Sequence, residues 1–158
     1  MAHLFIPNNH VVQGIASVDI NSSGADGIYV NMKLYRQITI LLNFGVIGAA
    51  TAVTLKQATD VSGTDEKELA FTDMFAKEGT TTDLHTETVV TGNTFNTGTT
   101  NNSMYKIEVS ANQLDINNDF GCVRVALSDP GASTIVGCEY VLSQPRYSSI
   151  EGTSAIID

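Results

Sequence analysis

A chain of 158 residues with a formal charge of −9 and a pI near 4.5 is about one domain's worth of protein, and its eight scattered Lys and Arg oppose nucleic-acid binding, which takes clustered cations to neutralise phosphates. With 42% hydrophobic and 16% charged residues it is too apolar for disorder, and its Thr, Ser and Asn suit exposed strand faces and turns. The opening MAHLFIPNNH lacks the basic region and long apolar core of a signal peptide or membrane anchor.

Leu4, Phe5 and Ile6 form an apolar plug before the turn residues Pro7-Asn8-Asn9, either a docking arm or a cover for the domain's own core edge. His10 to Ile20 alternates loosely and closes on Asp19-Ile20-Asn21-Ser22-Ser23-Gly24. Ile28, Val30 and Met32 then share one face of a short strand, with Tyr29 and Asn31 on the other. Tyr35 to Gly63 reads as a buried β-hairpin. Ile38, Ile40 and Leu42 alternate with Thr39, Leu41 and Asn43, which places this strand inside a sheet, and Gly45, Gly48, Ala49 and Ala50 allow a turn before Val53 and Leu55. The run around Ile38 to Ala50 is too short and interrupted to span a bilayer.

Asp65 to Gly79 reads as a strand with an irregular excursion, and Thr86 to Phe95 as a strand within a polar rim. Met104 to Ser110 alternates cleanly, with Tyr105, Ile107 and Val109 inward, before one helical turn at Ser110 to Leu114. Phe120 to Leu127 and Ile135 to Leu142, joined through Asp129-Pro130-Gly131, read as a second hairpin. Pro145 stops the sheet, leaving a tail with Ala155, Ile156 and Ile157 near its end.

Short strands at intervals of about ten residues, without amphipathic helices, specify an all-β, single-domain antiparallel β-sandwich. A jelly-roll-like arrangement of about eight strands is the first choice, with extended N- and C-terminal arms. An immunoglobulin-like sandwich is second, since no Trp is present for its core. The expected divisions are an N-terminal arm at 1–9, the sandwich at 10–147 and a C-terminal tail at 148–158.

Catalytic signatures are lacking. His3, His10 and His85 lie near no nucleophile motif. Asp83, His85 and Glu87 share extended spacing, which fits half of a metal site or, more simply, a solvated rim strand. The loops at Asp19 and Asp115 place oxygen side chains as a calcium loop would, but Val30 and Ala126 stand at the twelfth position where an acid is required; both also read as Asx-rich turns. Phosphate loops and dinucleotide fingerprints are absent, so no catalytic residue, cofactor or metal ligand is assigned. Cys122 and Cys138 sit in strand-like runs and read as buried free thiols.

The segments TAVTLKQATDVSG from Thr51 to Gly63, NDFGCVRV from Asn118 to Val125 and YVLSQPRY from Tyr140 to Tyr147 resemble those of small virion proteins of tailed bacteriophages, in particular capsid decoration or cement proteins. The resemblance spans Tyr35 to Tyr147 and rests on structural motifs. It implies a β-sandwich made in the host bacterial cytoplasm and bound in many copies to the virion's outer capsid surface, stapling major capsid protein subunits. Its partners would be that protein and other copies of itself, as dimers or trimers, with no nucleic acid and no membrane. Leu4, Phe5, Ile6, Arg146, Tyr147, Ile156 and Ile157 are the expected capsid or inter-subunit contacts, though Tyr147 also fits packing on its own sandwich. A head–tail connector or tail component, or a carbohydrate-binding module, are the alternatives.

Overall fold

The computed structural model describes residues 5–147, apart from the side chains of Ile6 and Pro7, and residues 154–158. The longer strands form where the apolar alternation predicts them, whereas the single strand expected within Asp65 to Gly79 is two short ones in different sheets. After one helical turn α1 (Phe5–Asn8) come β1 (Asn9–Asp19), β2 (Ala25–Asp26), β3 (Val30–Asn31), β4 (Tyr35–Ile47), β5 (Ala52–Ala58) and β6 (Lys67–Glu68). There follow β7 (Asp73–Lys77), β8 (Thr86–Val89), β9 (Thr94–Asn96), β10 (Ser103–Ser110), β11 (Cys122–Leu127) and β12 (Thr134–Pro145). Two 3-10 turns, Ala111–Gln113 and Ile116–Asn118, separate β10 from β11.

Two antiparallel sheets face each other. One runs β1-β12-β4-β10-β7-β8; the other runs β2-β11-β5-β6, with β3 also on β11 and β9 also on β5. The pairs nest: β1 with β12, β2 and β3 with β11, β4 with β10, and β5 with β6 and β9. One long antiparallel ribbon rolled over on itself gives this order, which is the double Greek key of a jelly roll. β6 meets Lys56 and Gln57 of β5 while β9 meets Ala52 to Thr54, so the two share one strand position, split by an excursion that carries the β7–β8 hairpin. That hairpin extends the first sheet beyond β10, and all four residues of β8 are exposed.

Neither expected hairpin forms. Both β4–β5 and β11–β12 are arches that cross from one sheet to the other. Central β4 has no free edge: Leu42 faces Tyr105 of β10 on one side and Cys138 of β12 on the other. The next strand must therefore leave the sheet, and the small residues Gly48, Ala49 and Ala50 make the corner. A Cβ on Gly48 would stand 2.5 Å from the Ser133 carbonyl oxygen, which explains the glycine. The expected strand at Thr86 to Phe95 is also divided, into β8 in one sheet and β9 in the other. Ile28, expected on the inner face with Val30 and Met32, is instead 43% exposed.

The core lies between the sheets. Ile38, Ile40 and Leu42 of β4, Ile107 and Val109 of β10, and Val136, Cys138, Tyr140 and Leu142 of β12 face Val53 and Leu55 of β5 and Val123 and Val125 of β11, all fully buried. Phe71 packs edge-on to Phe95 at 6.2 Å, and Phe95 meets Tyr105 at 5.6 Å, which ties the excursion to the core. A smaller cluster of Tyr29, Ala58 and Cys122 is separate from this core, so the thiols of Cys122 and Cys138 are buried, free and in different clusters.

Thr51 locks the first arch. It is 1% exposed, its hydroxyl donates to the Ser128 carbonyl at 2.6 Å, and its N–H donates to Thr97 Oγ1 at 3.1 Å. Thr51→Val keeps the shape and removes the hydroxyl. It is expected to cost about 1–2 kcal/mol, read as a lower urea midpoint with an unchanged m-value.

Candidate functional site

The loops that could have held cations spend their carboxylates on the chain's own donors. Asp19 Oδ1 accepts the N–H groups of Asn21 and Thr134, each at 3.0 Å, and Oδ2 accepts the Ser133 hydroxyl at 2.6 Å. These bonds, the Ser133 hydroxyl foremost, hold the Asp19 carboxyl below the usual carboxylate range. Asp115 is likewise held low, first by the Lys67 ammonium and then by Asn118 Nδ2 at 2.8 Å. The Asp19 loop is built as an Asx turn, and in both loops the carboxylate ties in a distant segment, Ser133 and Thr134 for Asp19 and Lys67 for Asp115.

His85 lies in the loop before β8 and is half-buried; burial, with the Lys106 and Lys77 charges, holds its imidazole below the ordinary value. Among the described residues no three of His, Cys, Asp and Glu converge as metal ligands, so Asp83, His85 and Glu87 do not form such a group. His10 stacks on Tyr35 at 6.1 Å, and His3 lies outside the described residues. Burial pushes the Cys122 thiol up to about 11 and the Cys138 thiol higher still, so neither supplies a thiolate at neutral pH.

A polar network covers one face of the second sheet. Arg124 of β11 reaches Asp26 at 3.1 Å and Glu66 at 2.6 Å, and its guanidinium lies 5.0 Å from the Tyr29 ring centre. Glu66 also receives Lys56 at 2.6 Å and the Tyr29 hydroxyl at 2.7 Å. Burial pushes the Glu66 carboxyl up, but Lys56, Tyr29 and the Arg124 charge outweigh it and hold it low. Alternation along β11 puts Arg124 on the opposite face from Val123 and Val125, so the network buttresses the sheet from outside.

The expected contact residues lie at the margins. Phe5 in α1 is 58% exposed; Leu4 lies outside the described residues, and the Ile6 side chain is undescribed. In the tail, Ala155 is buried and its carbonyl accepts the Asn31 N–H at 2.7 Å, while the Asp158 carboxylate accepts the Val61 N–H at 3.2 Å. The tail end thus docks on its own sandwich and leaves Ile156 and Ile157 outward, 49% and 65% exposed. Arg146 and Tyr147, just past β12, are also exposed, Tyr147 at 65%.

Arg146 has neighbours that the sequence order conceals. At the sandwich end where β4 begins and β10 and β12 finish, it lines a cleft of about 300 Å³ with Arg36, Ser110, Asn112 and Gln144. It also walls an adjacent apolar cleft of about 230 Å³ formed by Met32, Leu114, Ile116 and Phe120, with Lys33 at its margin. Arg36 and Lys33 carry no motif that marks them; only the meeting of three strand ends does so.

No family model and no curated protein matches the chain. Among solved structures, it is similar to the SPBc2 prophage-derived protein YomS, at 11% identity and a TM-score of 0.47, over 89% of this chain and 99% of that one. It is also similar to the infectious bursal disease virus VP2 subviral particle, at 13% identity and a TM-score of 0.23, over 92% of this chain and 43% of that one. Likenesses at this level assign no function.

Proposed function

We propose that this protein is a non-catalytic structural component of a phage virion, which decorates the outer capsid surface as a homo-oligomer and staples neighbouring major capsid subunits. The observation that carries the reading is the resemblance of three segments to decoration proteins. Their placement in the fold supports it. Thr51–Gly63 contains β5, Asn118–Val125 leads into β11 beside it, and Tyr140 of the third segment accepts a hydrogen bond from Val125 of the second. They form one connected region.

The margins supply contacts of the kind such a role needs. Phe5, Tyr147, Ile156 and Ile157 are apolar and exposed, and so are Leu84 and Val89, at 75% and 74%, on the β7–β8 hairpin. A protein repeated over a symmetric lattice sums many weak contacts, so modest affinity at each suffices to lock a shell. Leu4, Phe5, Ile6, Arg146, Tyr147, Ile156 and Ile157 are the proposed contacts.

Quantitative mass spectrometry of purified virions tests this. A copy number comparable to that of the major capsid protein is expected. A small fixed number per particle would place the protein at the connector or tail, and absence would end the virion reading. Deleting residues 1–9 is expected to weaken capsid binding while the sandwich melts as before; undiminished binding would remove the N-terminal arm from the interface.

A further inference from the structure

The chain carries 17 Asp and Glu against eight Lys and Arg, yet one end of the sandwich reverses that balance. The two adjoining clefts there bring together Lys33, Arg36 and Arg146, and among the described residues no carboxylate lines either of them. Among the described residues none of these three cations takes part in an ion pair, whereas Lys56, Lys67 and Arg124 all do.

The backbone sets the two arginines side by side. Ser143 pairs with Gln37 and Pro145 with Tyr35, which puts Arg36 opposite Gln144; the Arg146 N–H continues the ladder to the Leu34 carbonyl at 2.9 Å. Arg36 and Arg146 are therefore diagonal neighbours on facing strands, a spacing of roughly 7–8 Å at which like charges repel. Gln144 between them has φ +54°, and its amide donates to Gln37 Oε1 at 2.7 Å, which fixes the corner. Two guanidiniums lining one cleft with no counter-charge among the described residues, beside the hydroxyl of Ser110 and the amide of Asn112, are matched by a carboxylate, which accepts from both forks. The shared wall makes the site composite: Arg146 belongs to the polar cleft and to the apolar one, where Ile116 is 56% exposed.

We propose that this rim is a docking site for a protein segment that presents a carboxylate beside a bulky apolar side chain. The carboxylate enters between Arg36 and Arg146, and the apolar group enters the cleft of Met32, Leu114, Ile116 and Phe120. Charge complementarity selects an acidic partner, and the neighbouring apolar cleft selects a side chain next to the acid. This deepens the virion reading by naming a contact face; it rests on that reading only for the partner's identity as a capsid subunit.

Titration of N-acetyl-Phe-Glu-amide into the ¹⁵N-labelled full chain, followed by NMR, tests the site directly. The expected result is a set of shifts confined to Ser110–Asn112, Leu114–Phe120 and the Arg36 and Arg146 side chains, with N-acetyl-Phe-Gln-amide binding at least about tenfold more weakly. Arg146→Ala is expected to lose about tenfold and Arg146→Lys to lose less, while Lys106→Ala, a cation elsewhere on β10, leaves the titration unchanged. Equal binding of the Glu and Gln compounds would overturn the proposal. So would the same shifts from sodium sulfate, which would mark an inorganic-anion site only, or from raising the protein concentration, which would make a second copy the occupant. A failed titration leaves the virion copy number untouched, and absence from virions leaves the titration untouched, so the two readings fail separately.

Discussion

Truncating Tyr140 to alanine is expected to cost about 3–5 kcal/mol and to lower Tm by roughly 10 °C. The ring is fully buried in β12 of one sheet, and its hydroxyl crosses the core to accept the Val125 N–H of the other sheet at 3.1 Å. That amide needs the partner. On this side of β11, β2 covers Ala126 and Leu127 and β3 covers Cys122 and Val123, so Val125 falls in the gap between them and the tyrosine fills it. Tyr140→Phe keeps the packing and strands the amide, at about 1–3 kcal/mol. Two glycines make room for the residue. A Cβ on Gly27 would stand 2.2 Å from the Tyr140 hydroxyl, and one on Gly14 would stand 2.6 Å from the ring carbon Cζ. Each Gly→Ala change is expected to cost about 1–3 kcal/mol through overpacking. The double mutants separate the two clashes: Gly27→Ala is relieved by at least about 1 kcal/mol in a Tyr140→Phe background, and Gly14→Ala is not. Equal non-additivity for both glycines, measured by denaturant unfolding, would refute this geometry.

The strands themselves are legible because alternation is a local property. Ile38, Ile40 and Leu42, then Tyr105, Ile107 and Val109, face the core as their spacing predicts. Pairing is not local. A short turn of Gly and Ala, or of Asp-Pro-Gly, serves a hairpin within a sheet and an arch between sheets equally well. What decides is whether the preceding strand has a free edge, and β10 and β12, more than fifty residues downstream of β4, occupy both of its edges. The same limit governs the rim. Arg146 and Tyr147 draw notice beside Pro145, while Arg36 reads as a polar residue opening a strand, and the cleft exists only once β4, β10 and β12 end together. Turn chemistry at Asp19 was legible as an Asx turn; its tie to Ser133 and Thr134, across more than a hundred residues of sequence, was not.

Glu66→Ala is expected to cost about 1–3 kcal/mol at neutral pH and to flatten the acid limb of the stability profile. Its carboxylate holds Lys56, the Tyr29 hydroxyl and one end of Arg124, whose side chain is 15% exposed, so removing it strands the Lys56 ammonium and the phenol at once and leaves Arg124 with Asp26 as its ion-pair partner. The 29% exposure of the Glu66 side chain lets water recover part of that loss, which keeps the cost below that of breaking a dry ion pair. The pH dependence follows from the same contacts. Asp19, Asp60, Glu66 and Asp115 are all held more acidic in the folded protein than their ordinary values of 3.8 for Asp and 4.5 for Glu. As pH falls, the unfolded chain takes up these protons first. Stability from the four groups is therefore full above about 4.5 and is lost as pH drops through their folded values. Thermal melts across this range should show the wild type falling steeply below about pH 4.5, with Glu66→Ala starting lower and falling less. Parallel curves for the two proteins would mean that Glu66 is not among the groups whose protonation unfolds the sandwich.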